Sequence, residues 1–199
     1  MIDELNEELD RDAEVRMYFF VPYNISEIQK GIQAGHAALR YARQFSAENP
    51  EVWEFIDKHE TWIILNGGTT NEQRDFDGIP AGSLNLLADQ LMEADIKFSY
   101  FIEPDLNNAL TAVCFLADEQ VFNRKDFPDF IDWLLDVKMY ESAKDEALKN
   151  NPQFWVELKM KPITEVKELF PEYYKEWVRF MGGLKNVFLR ELTKDKKLA

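Results

Sequence analysis

The run Arg16-Met17-Tyr18-Phe19-Phe20-Val21-Pro22-Tyr23 constrains this chain more than any other stretch. It has the length of a strand, is rich in aromatic and aliphatic residues, and shows no alternation of apolar with polar positions. An alternating strand leaves one face in water, whereas a continuous apolar one has to be covered on both faces. Such a strand calls for neighbouring strands and for helices above and below. Ser26-Glu27-Ile28-Gln29 comes directly after it as a capping box and predicts a helix to about Phe45.

Helices and strands continue to alternate along the chain. Glu51–His59 reads as a shorter helix, and Thr61–Leu65 as a second strand ended by Asn66-Gly67-Gly68. A polar loop carrying Asp75, Asp77 and Gly78 runs to Pro80. Ser83–Ala94 places Leu84, Leu87, Ala88 and Leu91 on one helical face. Lys97–Ile102 is a third strand, Glu103–Asn108 a turn and Ala109–Leu116 a fourth strand. The last two are joined too closely for a crossover and are expected to be antiparallel. The fold class is therefore α/β, with a four-stranded mixed sheet covered by helices.

Beyond Phe127 the pattern is helical only. Asp126 is placed to cap a helix from Pro128 to about Leu148, and Pro152 and Pro162 interrupt the chain beyond it. Pro171–Leu192 sets Tyr174, Trp177, Val178, Met181, Leu184, Phe188 and Leu192 at helical spacing, with Gly182-Gly183 able to break or kink the run. Three segments result: a charged lead, 1–15, in which Leu5 and Leu9 hint at a short helix; an α/β domain, 16–121; and an all-helical C-terminal extension, 122–199. The apolar stripe of the extension is expected either to fold back onto the α/β domain or to pair with a second copy or another protein.

Charge divides along the same boundary. Residues 122–199 hold 15 Lys+Arg and 14 Asp+Glu, whereas 1–121 hold 8 and 23, a net of −15. Nucleic-acid affinity rests on basic groups that displace phosphate counterions, so the α/β domain begins with the wrong sign for an RNA partner. The lone cysteine, Cys114, excludes an internal disulfide and suits a reducing compartment. With no span-length apolar run and no signal-peptide pattern at Met1–Leu5, the expectation is a soluble, cytoplasmic protein without membrane partners.

On the first helix, Gln29, Gln33, His36, Arg40 and Arg43 fall on one polar stripe. Ile28, Ile32, Gly35, Leu39 and Ala42 form an apolar stripe that should face the sheet, with Gly35 permitting close approach. Gln33-Ala34-Gly35-His36-Ala37-Ala38 resembles the Gln-x-x-His-Ala signature of the peptidyl-tRNA hydrolase 2 family. Thr61–Leu65, Ala88–Phe101 and the turn Glu103-Pro104-Asp105-Leu106 followed by Thr111-Ala112 are similar to further stretches of that family, in the same order. The likeness spans about residues 16–118, and its Glu-Pro-Asp turn is most similar to that of uncharacterised bacterial or phage-like relatives.

The resemblance implies hydrolysis of the ester between a peptide and a tRNA ribose, with tRNA or peptidyl-tRNA as partner and no cofactor. Gln33, His36, Glu103, Asp105 and Thr111 would be catalytic, and Gln29, Lys30 and Arg40 would bind substrate. The sequence departs from the family at the position where it carries a lysine, which is Gln29 here, with Lys30 beside it. The acidic turn is also longer: Thr111 stands eight residues after Glu103 and six after Asp105. Each residue has a structural reading as well. Gln29 completes a capping box, His36 can be an ordinary helical histidine, Glu103 and Asp105 can cap a turn, and Arg40 and Arg43 can be solvated. His59 reads as a helix end and Cys114 as core. No metal-ligand spacing, phosphate loop or serine-hydrolase elbow is present in the sequence. Three classes remain: an ester hydrolase, a non-catalytic binding module on the same fold, and an assembly protein acting through its C-terminal helices.

Overall fold

The computed structural model describes residues 13–70, 82–142 and 152–199. The expected helix within 1–15 lies largely outside them, as do Asp75, Asp77, Gly78 and Pro80 and the stretch from 143 to Leu148. The described chain forms two compact units: one holds the sheet and ends at Glu119 but regains Phe188–Ala199, and the other is Gln120–Val187.

The sheet unit is α/β. Strands β1 (Arg16–Pro22), β2 (Trp62–Gly68), β3 (Phe98–Glu103) and β4 (Ala109–Ala117) lie in the order β2-β1-β4-β3. β1 runs parallel to β2 and antiparallel to β4, and β3 is antiparallel to β4, so the sheet is mixed. The apolar run behaves as its composition requires. Met17, Phe19 and Val21 enter a core with Ala34, Ala37 and Tyr41 of helix α1 (Glu27–Phe45). On the opposite face, Tyr18 and Phe20 meet Phe115, and Gly67 brings helix α3 (Ser83–Glu93) against Phe20 through Leu84. A side chain at Gly67 would stand 2.8 Å from Leu84 Cδ1, so the glycine is required by the helix resting on it. The glycines predicted to end β2 instead lie within it.

Helix α1 starts as its capping box predicts: the Gln29 backbone N–H donates to Ser26 Oγ and the Gln29 side-chain oxygen accepts from the Ser26 N–H. Ser26→Ala is expected to lower stability by about 1 kcal/mol, measured by urea denaturation, while Ser26→Asp should retain most of it. After α1 the chain forms α2 (Pro50–Glu54) and one π-helical turn, Phe55–His59, where a single α-helix was expected.

The helical unit is built from α4 (Glu119–Phe122), α5 (Phe130–Ser142), α6 (Pro152–Met160), α7 (Ile163–Leu169), α8 (Pro171–Phe180) and the start of α9 (Leu184–Thr193). Asp126 does not cap α5. It accepts from Asn123 in the preceding turn, and α5 begins only at Phe130. The apolar stripe divides at Gly182 and Gly183, both at positive φ. Trp177 and Met181 join Phe130, Leu134, Leu158 and Val166 in a core of the unit's own. The chain end returns to the sheet unit, where Asn66 N–H donates to Lys197 O and Ala199 N–H to Ile64 O along the edge of β2. Among the described residues no helix is long and apolar enough to cross a membrane.

Candidate functional site

The rotation of α1 decides which side chains meet the sheet. Its inward face carries Lys30, Gln33, Ala34, Ala37 and Tyr41, all buried. The stripe expected to face inward is turned outward: Ile28 is 77 % exposed, Leu39 72 % and Ile32 50 %, and a Cβ at Gly35 would meet nothing within 4 Å. Small residues and one ring fit the narrow helix–sheet gap, whereas a file of isoleucine and leucine would hold the helix further away. The polar stripe is divided too. Gln33 points inward, His36 and Arg40 reach sideways to β3, and Gln29 and Arg43 are exposed.

Gln33 is the centre of a hydrogen-bonded chain across α1, β3 and β4. Thr111 Oγ1 donates to Gln33 Oε1 at 2.7 Å, and Gln33 Nε2 donates to Glu103 Oε2 at 2.7 Å. Thr111 is fully buried and Gln33 nearly so, so neither exchanges these partners for water at low cost. The β4 strand is irregular at this point: Phe101 pairs with Ala112 and Ile102 with Leu110, which leaves Thr111 without a counterpart on β3. That bulge lets two consecutive residues serve the α1 side, Ala112 in the core and Thr111 on Gln33. The turn feeding β4 places Asn107 and Asn108 in left-handed conformations, which asparagine tolerates better than most residues. Sequence periodicity assigns Thr111 to the opposite face of the strand; only the bulge, which has no sequence mark here, corrects that.

Glu103 ends β3 and receives a second donor, the Asp105 backbone N–H at 3.3 Å to Oε1. The Gln33 amide first, then the Asp105 N–H and the neighbouring His36, hold the Glu103 carboxyl below its ordinary value of 4.5. A depressed folded-state pKa favours the folded protein above the unfolded value, and that contribution is lost as pH falls through the folded one. The Glu103 side-chain carbonyl resonance is therefore expected to titrate below 4.5, and Gln33→Ala should move the midpoint upward toward it. An unchanged midpoint would show that the Gln33 bond is not made in solution.

His36 stacks on Phe101 with ring centroids 4.4 Å apart, and the Arg40 guanidinium lies 4.5 Å from the centre of the same ring. Arg40 also donates to the Tyr100 carbonyl at 3.2 Å, so it ties α1 to the edge strand. Asp105 contributes its backbone N–H, while its side chain is exposed and bonds neither Gln33 nor Thr111. Gln29 is taken up by the capping box. Lys30 is buried on the Gln33 side of α1, with its ammonium 2.7 Å from Glu27 Oε1. The structure thus brings Gln33, Glu103 and Thr111 together, sets His36 and Arg40 alongside on Phe101, and leaves Gln29 and the Asp105 carboxylate out.

His59 ends the π-helical turn, and Cys114 is buried in β4 with its thiol pKa pushed up by desolvation. Among the described residues no group of three or more His, Cys, Asp or Glu side chains is arranged to hold a metal ion. No protein-family model matches this chain, and no curated protein matches it.

Proposed function

We propose that the sheet unit is a peptidyl-tRNA hydrolase 2-like esterase that cleaves the ester between a peptide and the ribose of tRNA. The observation that carries this reading is the chain Thr111→Gln33→Glu103, which links the residues of the motif resemblance through two 2.7 Å hydrogen bonds. Thr111 fixes the Gln33 amide so that its N–H group points at Glu103. Glu103, held ionised, can orient a water molecule through a remaining lone pair and take up its proton. Water adds to the ester carbonyl, the bond to the ribose oxygen breaks, and the proton passes to that leaving oxygen.

The cation for the developing oxyanion is Lys30 rather than a residue at position 29. Lys30 lies on the inward face with Gln33, whereas Gln29 is exposed in the cap. Its ammonium must release Glu27, an exposed partner that water can replace readily. Gln29→Lys is accordingly expected to leave hydrolysis unchanged, while Lys30→Met should reduce it about 100-fold. The net charge of −15 over residues 1–121 opposes tRNA, so weak or undetectable binding is expected at physiological salt.

The test is release of the acylated amino acid from an N-acetylated aminoacyl-tRNA by the full-length protein. Turnover above the buffer rate that is lost in Lys30→Met supports the proposal; release no faster than buffer sinks it. A second reading, a non-catalytic module that reuses the cleft, draws on the same contacts. Gln33 has both amide ends engaged and Lys30 is ion-paired, as in a purely structural network. Retention of the uncleaved tRNA by the protein would favour that reading.

A further inference from the structure

The outward stripe of α1 forms one wall of a groove that the Gln33 cluster does not use. Ile32 and Leu39 face Val52 and the π-helical turn, with Phe55, Ile56 and Trp62 completing a cavity of about 720 Å³. The surface is almost wholly apolar, and Glu60 and His36 stand among its lining residues. Ile28 and Trp53, also exposed, add apolar surface on the two helices that border it. A concave apolar surface of this size suits the side chains of a ligand or partner.

Shape and charge together select the occupant. Gly31 and Gly35, four residues apart, both have open space where a Cβ would stand. Gly35, which lines the groove, leaves room for a partner backbone between Ile32 and Leu39, as in helix–helix packing. Ile32 to Ala42 spans about 15 Å at the rise of an α-helix, close to three turns of a partner helix. Acidic charge lies at the margin of the groove: Glu60 lines it, and the segment 46–60 that supplies Val52, Phe55 and Ile56 also carries Glu48, Glu51, Glu54 and Asp57, with Lys58, paired with Glu54 at 3.6 Å, as its one Lys or Arg. The charge of −15 over residues 1–121 opposes nucleic acid, an anionic membrane and a second copy of the same surface alike.

We infer that this groove binds an amphipathic α-helix of another protein, with an apolar stripe seated between α1 and the π-helical turn and Lys or Arg residues flanking it. Complementary charge would speed its encounter, and apolar burial would retain it. Gln33, Glu103 and Thr111 do not line the groove, and His36 is the one residue of the proposed hydrolase site that does.

The probe is a fluorescent helical peptide of about 18 residues, five turns, built from Leu on one face and Lys on the other. Its binding to the full-length protein is compared with that of a peptide carrying Glu in place of Lys. Leu39→Lys puts charge on the groove wall, Gly35→Phe fills the groove, and Leu86→Lys, on exposed α3 surface, matches the charge change elsewhere. The Leu/Lys peptide should bind and the Leu/Glu peptide should not. Both groove variants should weaken binding about tenfold or more, with Leu86→Lys changing it little. Equal losses in Leu39→Lys and Leu86→Lys, or no binding at all, would overturn the inference. So would sedimentation showing a dimer of the protein that Leu39→Lys dissolves, or binding to anionic vesicles that Leu39→Lys alters.

Discussion

Gln33→Ala is expected to reduce the proposed ester hydrolysis by at least about 100-fold, the scale for losing a positioned hydrogen-bonding group in an active site. It removes the donor that orients Glu103 and the acceptor that holds Thr111. It also leaves the buried Thr111 hydroxyl with only the long 3.4 Å contact to the Phe101 carbonyl, a loss of about 1–3 kcal/mol in stability. The two effects separate by comparison with Thr111→Val. That variant deletes the hydroxyl at similar volume and leaves the Gln33 oxygen unpaired in turn, so it should cost a similar amount of stability, but it keeps the Gln33 donor to Glu103 and should lose less activity. A Gln33→Ala protein that is less stable but equally active would make the Gln33 cluster a structural feature alone.

The largest expected stability effect lies in the other unit. Trp177 is fully buried against Phe130 and Tyr174, and its indole N–H donates to the Pro128 carbonyl at 3.1 Å. Trp177→Ala should destabilise the helical unit by about 3–5 kcal/mol through the cavity and the unpaired carbonyl. Hydrogen exchange should register it as lost protection in α5 and α8. Trp177→Phe keeps most of the ring contacts and should lose far less. Equal protection in wild type and Trp177→Ala would mean that this core does not organise the unit.

The sequence is most readable where one side chain satisfies one local demand. Phe19 and Phe20 have no polar neighbour to face water, so both sides of β1 had to be covered. Ser26 and Gln29 make their reciprocal bonds within four residues and need no tertiary context. Helix α1 misleads because its most hydrophobic stripe is not its buried one. Ala34, Ala37 and Tyr41 fit against the sheet, and Ile28, Ile32 and Leu39 are left to border the groove. Hydrophobicity ranks residues by transfer from water, whereas the helix–sheet gap also selects by size.

The site was legible in part for a related reason. The motif likeness singled out Gln33, Glu103 and Thr111, but the spacing from Glu103 to Thr111 fits one cluster only through the bulge at Thr111 and the two left-handed asparagines. Backbone irregularities of this sort depend on pairing between strands and leave little trace in local composition. Lys30 stands about 100° around α1 from the Gln29 position, and the fold puts it on the inward face with Gln33. The fold places both inward because the wide buried face of α1 spans Lys30 to Tyr41, while Gln29 is drawn back to the cap.

If Thr111, Gln33 and Glu103 act as one catalytic unit, single-turnover cleavage of an N-acetylated aminoacyl-tRNA reveals it through a double-mutant cycle. Wild type should cleave, Gln33→Ala and Thr111→Val should each be slowed, and the double variant should be no slower than Gln33→Ala alone, because groups acting in series are lost together. Rate losses that multiply, or a wild-type protein that does not cleave, would mean that the three residues form no such unit.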